Sequence, residues 1–316
     1  MALALGAIVL LTVSCGGSGS KEEVRSSNGP IVFAQSDPSL GETGTHTIDP
    51  DGNNMRDLFA RGAEFPHWSP DGGEVAIFCC DDGMAAHFVD PDDGTFHELA
   101  PPDAKLEVHC GFGWSPDGRR IACESFGVND PKRDGIYSIR VSDGGGLARI
   151  TSNPGGDDIP GDYSPDGERL VFVRSDPTGP VGIFTTRLDG RDLRQISPQT
   201  VIVDHEFGGR WSPSGKQILF TASTDESHQP AIWLANSDGS GAHRLQITPA
   251  CGGAKADPAS IGCSYPDWSP DGTKIVFTRV DANHMDKNIY IVDTDGTDLQ
   301  QVTKSGGSEP DWGVAR

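Results

Sequence analysis

The chain has 316 residues, of which 46 are Asp or Glu and 25 are Lys or Arg, so its formal net charge is −21. This excess of negative charge argues against nucleic acid as a partner, because phosphate binding needs clustered Lys and Arg. Many of the Asp side chains belong to turns, and we attribute the remaining acidity to solubility first, with a cation site or a basic partner as alternatives.

The chain begins with an uncharged apolar run that ends at Cys15. The run is too short to span a bilayer, and residues 1–14 resemble a bacterial lipoprotein signal peptide, with Cys15 as the lipid acceptor. Residues 15–28 are predicted to be a lipidated flexible tether, because Gly and Ser dominate its beginning. We therefore expect an exported protein, anchored by lipid at the cell envelope on its periplasmic or extracellular side. A plain secretory signal with an incidental Cys15 is the alternative.

A five-residue phrase, an aromatic residue followed by Ser-Pro-Asp-Gly, recurs at intervals of 46, 49, 48 and 57 residues. Its copies lie at residues 68–72, 114–118, 163–167, 211–215 (where Ser214 replaces Asp) and 268–272, and a shortened sixth copy lies at 311–313. A period of roughly 40–50 residues with a turn in each unit is typical of a β-propeller. The recurring aromatic residue is predicted to pack between blades.

Each unit contains two predicted hairpins. Pro and Asp suit the corners of a type I turn and Gly accepts a positive φ, so strands A and B flank the phrase. A second Asp-Gly turn recurs out of phase, from residues 51–52 to 295–296, between strands C and D. Residues 31–34 have the composition of a B strand without a preceding phrase, and Trp312 marks an A strand without a following B strand. We predict an all-β fold, a six-bladed β-propeller of four-stranded antiparallel blades, closed by pairing of the N- and C-terminal strands.

Residues 266–277 (PDWSPDGTKIVF) and 288–303 (NIYIVDTDGTDLQQVT) carry the most regular copy of the unit. They resemble the repeats of the TolB-like β-propellers, which are bacterial envelope proteins, and the resemblance extends over residues 29–316. It implies the propeller fold, whereas function separates freely from fold in propellers. TolB has an additional N-terminal domain for which residues 16–28 leave no room, so we do not expect TolB's role in the Tol system to transfer directly.

Six cysteines follow Cys15, and an even number in an exported protein predicts disulfides. Cys251 and Cys263 flank an insertion in the longest repeat and are the favoured pair. Cys79, Cys80, Cys110 and Cys123 allow three pairings, which stay open. A zinc site is disfavoured because there is no Cys-x-x-Cys pair.

Length differences between units fall in the B–C and D–A connections, which emerge at one face around the mouth of the central channel. Long variable loops on a rigid scaffold predict the binding face. The candidate binding residues there are Asp157, Asp158, Asp204, His205, Glu206, Asp257 and Glu309. Candidate metal ligands are Glu64, His67, His109 and His205, and Ca²⁺ or another divalent cation is a candidate occupant of the channel. For Asp162, Asp267 and Asp311, each just before the aromatic residue, we favour a repeated structural hydrogen bond.

The sequence has no Gly-x-Ser-x-Gly elbow, His-Glu-x-x-His motif or phosphate loop. We therefore predict a non-catalytic, monomeric envelope lipoprotein whose acidic loop face binds an envelope protein or peptide, and which contacts the membrane only through its lipid anchor. One alternative is a metal-assisted polysaccharide lyase or hydrolase that uses Asp204, His205 and Glu206. Another is a propeller that binds a glycan or small ligand through loop aromatics, for which the candidates are Phe112, Phe126, Phe207 and Tyr265.

Overall fold

The computed structural model describes residues 27–37, 42–59, 62–78, 85–177, 179–204, 208–224, 229–247, 251, 262–280 and 287–316. These residues form six antiparallel sheets, each with four successive strands A to D. In one sheet, strand A consists of two short segments that both pair with strand B. The A strands of neighbouring sheets contact each other all the way round, so they form the inner wall of a closed ring. The predicted six-bladed propeller is confirmed.

The blades are numbered from residue 64, and the sixth combines the two ends of the chain. Blade 1 contains Glu64–Trp68, Val75–Phe78, Ala86–Val89 and Phe96–Leu99. Blade 2 contains Leu106–Trp114, Arg120–Gly127, Gly135–Arg140 and Ala148–Arg149, with a 3₁₀ helix at Pro131–Arg133. Blade 3 contains Asp157–Tyr163, Arg169–Ser175, Gly182–Arg187 and Arg194–Gln195.

The second half of the ring follows the same plan. Blade 4 contains Ile202–Val203 and Arg210–Trp211 as strand A, then Gln217–Ser223, Ala231–Asn236 and His243–Arg244. Blade 5 contains Gly262–Trp268, Lys274–Val280, Lys287–Asp293 and Gln300–Gln301. Blade 6 contains Ser308–Val314, Asn28–Asp37, Glu42–Ile48 and Arg56–Phe59. In the part of the chain covered by these strands and their described connections, no helix has the length and apolar character needed to cross a membrane.

The ring is closed by the two ends of the chain, as predicted. In blade 6 Ile31 lies opposite Trp312, and Val32 lies opposite Asp311. The indole Nε1 of Trp312 also donates a hydrogen bond to the carbonyl oxygen of Gly29, at 3.0 Å. This pairing gives the last A strand a partner and removes two sheet edges that would otherwise be open.

The repeated phrase forms a self-contained turn. In blade 1 the Ser69 hydroxyl donates to the Asp71 carboxylate at 2.8 Å and accepts the Glu74 N–H at 2.9 Å, while Gly72 has φ +73°. Blades 2, 3 and 5 repeat the Ser–Asp hydrogen bond. In blade 4 the Asp is replaced by Ser214, whose hydroxyl lies 3.1 Å from that of Ser212. The phrase is therefore turn chemistry that the local sequence encodes.

The aromatic residue of each phrase packs against the preceding blade. Trp114 of blade 2 contacts Phe88 of blade 1 edge to face, with ring centroids 5.3 Å apart, and Trp211 of blade 4 lies in a cluster with Val171 and Ile183 of blade 3. The Trp residues of five phrases and Tyr163 of the remaining one are all buried. The predicted packing between blades is confirmed, and these rings are part of the structural core.

Two disulfides lie among the described residues. Cys251 pairs with Cys263, as the sequence favoured, and Cys110 pairs with Cys123, which lies opposite it on strands A and B of blade 2. Cys79 and Cys80 lie outside the described residues, as do Cys15 and the predicted signal peptide.

Candidate functional site

The channel is lined at one level by the residue that precedes each recurring aromatic on strand A. From blade 1 to blade 6 these residues are His67, Gly113, Asp162, Arg210, Asp267 and Asp311. We call them the channel ring. Contacts among its members from five different blades, described below, place them together at the propeller axis.

Each of the three carboxylates of the channel ring links its own blade to the next one. Asp162 accepts the backbone N–H of Trp211 at 3.3 Å, and Asp267 accepts that of Trp312 at 2.8 Å. Asp311 accepts the N–H of Trp68 at 2.8 Å, which carries the same link across the junction of the chain ends. The structural interpretation of these three Asp residues is confirmed, because each satisfies a buried backbone donor.

Arg210 of blade 4 spans the channel to His67 of blade 1. Its Nη2 lies 2.8 Å from His67 Nε2, and its Nη1 lies 3.4 Å from Asp162 Oδ1. His67 Nδ1 lies 2.8 Å from Asp311 Oδ1. Burial, and then the adjacent guanidinium, lower the pKa of His67, which favours the neutral imidazole. Arg210 Nη2 also lies 3.0 Å from His67 Nδ1, so the guanidinium contacts both ring nitrogens. The side chain of Arg210 therefore closes the channel at the level of the ring.

Burial opposes ionisation of all three carboxyl groups in the channel ring. Burial raises the pKa of Asp162 to about 6 and raises that of Asp267 well above its usual value, although Arg210 opposes both shifts. Burial also opposes ionisation of Asp311, but its contacts with His67 and the charge of Arg210 keep its pKa below the ordinary value. Arg210 is 3 % exposed, so its charge is balanced by these side chains and not by solvent. The groups form a buried ion cluster that links the blades.

The mouth of the channel is lined by the residues two positions before the channel ring. Three of them, Phe65, Tyr265 and Glu309, have a left-handed backbone with φ of 48°, 52° and 57°, close to register shifts in strand A. The rings of Phe65 and Tyr265 are 5.8 Å apart, edge to face, and the N–H of Phe65 donates to Glu309 Oε2 at 2.9 Å. Burial raises the pKa of Glu309. Blades 5, 6 and 1 therefore bring two aromatic rings and a carboxyl group together at the mouth.

Carboxylates crowd the loop face of blades 1 to 3. Glu64, Glu107 and Asp157 are exposed, and Glu124 is half-buried. Burial, and then the charges of Asp157, Asp158 and Glu107, raise the pKa of Glu124 to about 7. Within the described part of the chain, no Lys or Arg forms an ion pair with Glu64, Glu107, Glu124 or Asp157. These four residues, which we call the acidic face, carry negative charge that the described protein does not neutralise.

The structure divides the predicted binding residues into several groups. Asp157 lies on the acidic face and Glu309 at the mouth, while Asp204 is half-buried on blade 4. Asp158 is not a surface residue: it is 2 % exposed, and its carboxylate accepts from Arg174 Nε at 2.8 Å and Nη2 at 2.7 Å. Arg174 satisfies both oxygens, so Asp158 does not present a free carboxylate on the loop face. His205, Glu206 and Asp257 lie outside the described residues.

The candidate metal ligands do not converge. His67 is bound by Arg210 and Asp311 at the axis, whereas His109 lies on blade 2 beside Glu107, with Nε2 3.3 Å from Oε1. Across the described ranges, no group of three His, Cys, Asp or Glu side chains is placed to hold a metal ion. Of the four candidate ligands, Glu64, His67 and His109 therefore do not form a common site among themselves, and His205 lies outside the described residues. Sequence reasoning missed Arg210, although its position just before Trp211 could have revealed it.

Fold and site together define a closed six-bladed β-propeller with a plugged channel and an acidic loop face. Residues 31–250 match the family model of the TolB beta propeller domain, so the chain belongs to this family. It is 31% identical over 221 residues, 67% of this chain and 68% of the relative, to the uncharacterized protein Atu1656 of Agrobacterium fabrum. It is 35% identical over 88 residues to the Tol-Pal system protein TolB of Anaeromyxobacter dehalogenans, covering 28% of this chain and 19% of that protein.

Solved structures show the same fold. The crystal structure of TolB from Acinetobacter baumannii superposes with a TM-score of 0.67 at 19% identity, covering 90% of this chain and 66% of that one. Oligogalacturonate lyase from Vibrio parahaemolyticus superposes with a TM-score of 0.56 at 14% identity, covering 87% of this chain and 74% of that one. At such identities the likeness concerns the fold, which TolB and an enzyme share.

Proposed function

We propose that this protein is a non-catalytic propeller that binds a basic segment of a partner protein through its loop face. The observation that carries the proposal is the acidic face, where burial and then the charges of neighbouring carboxylates raise the pKa of Glu124 to about 7. Such crowding costs free energy in the unbound protein, and a positively charged partner relieves it. The plugged channel directs a partner to the surface of this face, because the side chain of Arg210 blocks passage along the axis.

The family relationship supports a binding role. The relative from Anaeromyxobacter dehalogenans is named as a component of the Tol-Pal system, and a part of such a system contacts other proteins. The enzyme alternative relies on Asp204, His205 and Glu206, of which His205 and Glu206 lie outside the described residues. Among the described imidazoles, His67 is held by Arg210 and Asp311 and lies apart from His109, so these two do not supply a common metal site.

An envelope location forms the second part of the proposal. It is supported by the apolar run before Cys15 and the Gly- and Ser-rich residues 16–20. Metabolic labelling with an alkyne-bearing fatty acid tests it in a bacterial host: the wild-type protein is expected to be labelled and membrane-bound. Cys15→Ala is expected to lose the label, and labelling of that variant at the wild-type level would refute lipid attachment at Cys15.

The binding proposal is tested with two synthetic twelve-residue peptides, one alternating Lys with Ser and one alternating Glu with Ser. At low salt the Lys/Ser peptide is expected to bind and the Glu/Ser peptide is not, and added salt weakens the complex by screening. The triple variant Glu107→Lys, Glu124→Lys, Asp157→Lys is expected to lose binding. The control variant reverses three exposed charges away from the loop face, Asp57, Glu98 and Glu168, and is expected to keep it. Equal binding by the two triple variants would overturn the proposal.

A further inference from the structure

Five aromatic side chains form a continuous strip across the loop face, from blade 5 to blade 2. The ring centroids of Tyr265 and Phe65 are 5.8 Å apart, those of Phe65 and Phe78 6.5 Å, those of Phe78 and His109 5.7 Å, and those of His109 and Phe126 6.5 Å. All five residues are half-buried. We call this strip the aromatic arc.

Among the described residues, the arc lies on the side of the mouth formed by blades 5, 1 and 2. Phe65 and Tyr265 take the position at which blades 3 and 4 carry Pro160 and Gly208. Phe78 and Phe126 lie at or near the ends of the B strands of blades 1 and 2, where the chain enters the loop face. The left-handed backbone at Phe65 and Tyr265 is unfavourable for bulky residues, by about 1 kcal/mol or more each. The fold therefore holds rings at this mouth at a cost that a glycine would avoid.

Carboxyl groups line the same strip. Glu309 accepts the N–H of Phe65, and Glu107 lies 3.3 Å from His109. Glu124 lies opposite His109 on the neighbouring strand, and Glu64 precedes Phe65. Protein interfaces commonly combine an aromatic centre with a charged rim, and the faces of aromatic rings attract Lys and Arg groups. The arc thus offers a row of apolar area with negative charge beside it.

We propose that the aromatic arc is the contact surface for an extended partner segment in which Lys or Arg alternates with aromatic or large aliphatic side chains. This inference rests on the proposed function and adds the apolar half of the recognition. In an extended chain successive side chains point to opposite sides, so one row of side chains can lie along the rings while the other row reaches the carboxyl groups beside them. A neutral glycan fits less well, because it would leave the negative charge of the carboxyl rim without an opposite charge.

Four twelve-residue peptides separate charge from aromatic content: Lys/Phe, Lys/Ser, Glu/Phe and Glu/Ser alternations, with binding measured by fluorescence anisotropy on the whole protein. The Lys/Phe peptide is expected to bind at least tenfold more tightly than the Lys/Ser peptide, through roughly two to three ring contacts. The double variant Phe78→Ser, Phe126→Ser is expected to remove most of that advantage and to leave Lys/Ser binding unchanged. The matched control is Ile202→Ser, an exposed apolar residue at the start of strand A in blade 4 and outside the arc.

The outcomes distinguish this inference from the proposed function. If Lys/Phe and Lys/Ser peptides bind equally, or if the arc variant binds both like the wild type, the inference is refuted while the acidic-face proposal stands. If neither Lys peptide binds better than its Glu counterpart, both are refuted. Binding of chitohexaose that the arc variant loses, without peptide binding, would identify a glycan site instead. Thermal unfolding of each variant checks its fold, and Phe78→Leu with Phe126→Leu repeats the test with less loss of packing if the Ser variant unfolds.

Discussion

Replacing Arg210 by Met removes the cation that closes the channel while keeping a side chain of similar length. Arg210 Nη1 lies 3.4 Å from Asp162 Oδ1, and Nε lies 3.8 Å from Asp267 Oδ1. At an effective dielectric of about 20, a charge pair near 4 Å is worth roughly 4 kcal/mol. The loss is limited because a carboxylate can take up a proton instead. For a group with a pKa of about 6, this costs roughly 2.7 kcal/mol at pH 8. We expect Arg210→Met to lower the free energy of unfolding by about 3 kcal/mol at pH 8.

The loss should depend on pH with a definite sign. Arg210 lowers the pKa of Asp162, so its removal raises the folded-state pKa of Asp162 further above about 6. At Asp162 the two proteins differ in bound protons only above about pH 6, so the extra loss in the variant grows as the pH rises from there and is absent below it. At pH 5 Asp162 is mostly protonated in both proteins, and without the guanidinium His67 can take up a proton beside Asp311. We expect a loss of about 1 kcal/mol at pH 5.

Urea unfolding followed by circular dichroism at both pH values measures the Arg210 effect. Arg191→Met is the control, because the Arg191 side chain is 85% exposed on a hairpin turn and its removal should change stability by less than about 0.5 kcal/mol. An equal loss for Arg210→Met at pH 5 and pH 8 would refute the electrostatic account and leave only lost packing as the cause.

The remaining predictions concern a close backbone approach between blades, a disulfide and a titrating carboxyl group. In Gly113→Ala the new Cβ would overlap the carbonyl oxygen of Gly161 in the next blade, so we expect the free energy of unfolding in urea to fall by about 1–3 kcal/mol. The control Gly73→Ala meets only the Asp71 side chain and should leave stability unchanged, so equal effects of the two substitutions would contradict the prediction. Cys251→Ser opens the loop to Cys263, 12 positions on, and should cost about 3 kcal/mol under oxidising conditions; an unchanged midpoint would show that the bridge does not stabilise the fold. The pKa of Glu124 is about 7, so the affinity for the Lys/Ser peptide should rise about two- to threefold from pH 6 to pH 8 as Glu124 loses its proton. Glu124→Gln should flatten this rise, and an unchanged pH profile in that variant would exclude Glu124 from the contact.

The candidate site was only partly predictable. The loop face was predicted from the lengths of the B–C and D–A connections, and its acidity from the residue types in them. Asp157 lies on that face and Glu309 at the channel mouth. Asp158 looked equivalent to Asp157 in sequence, yet neighbouring residues on a strand point to opposite faces, so one is exposed and the other is bound to Arg174. The His residues were grouped as ligands by type, whereas the structure sends His67 to the axis and His109 to the loop face.

The sequence by itself determined the blade. A Ser-Pro-Asp-Gly turn depends on residues that are adjacent in the chain, and the aromatic residue before it recurs at a fixed strand position, so the six units, their hairpins and the composite last blade were all predictable. Tertiary structure alone decided what meets across the ring. Arg210 and His67 are 143 residues apart and come together only because the ring closes, and the aromatic arc joins residues from blades 5, 1 and 2. Such contacts depend on the curvature and closure of the whole ring, which no local pattern records.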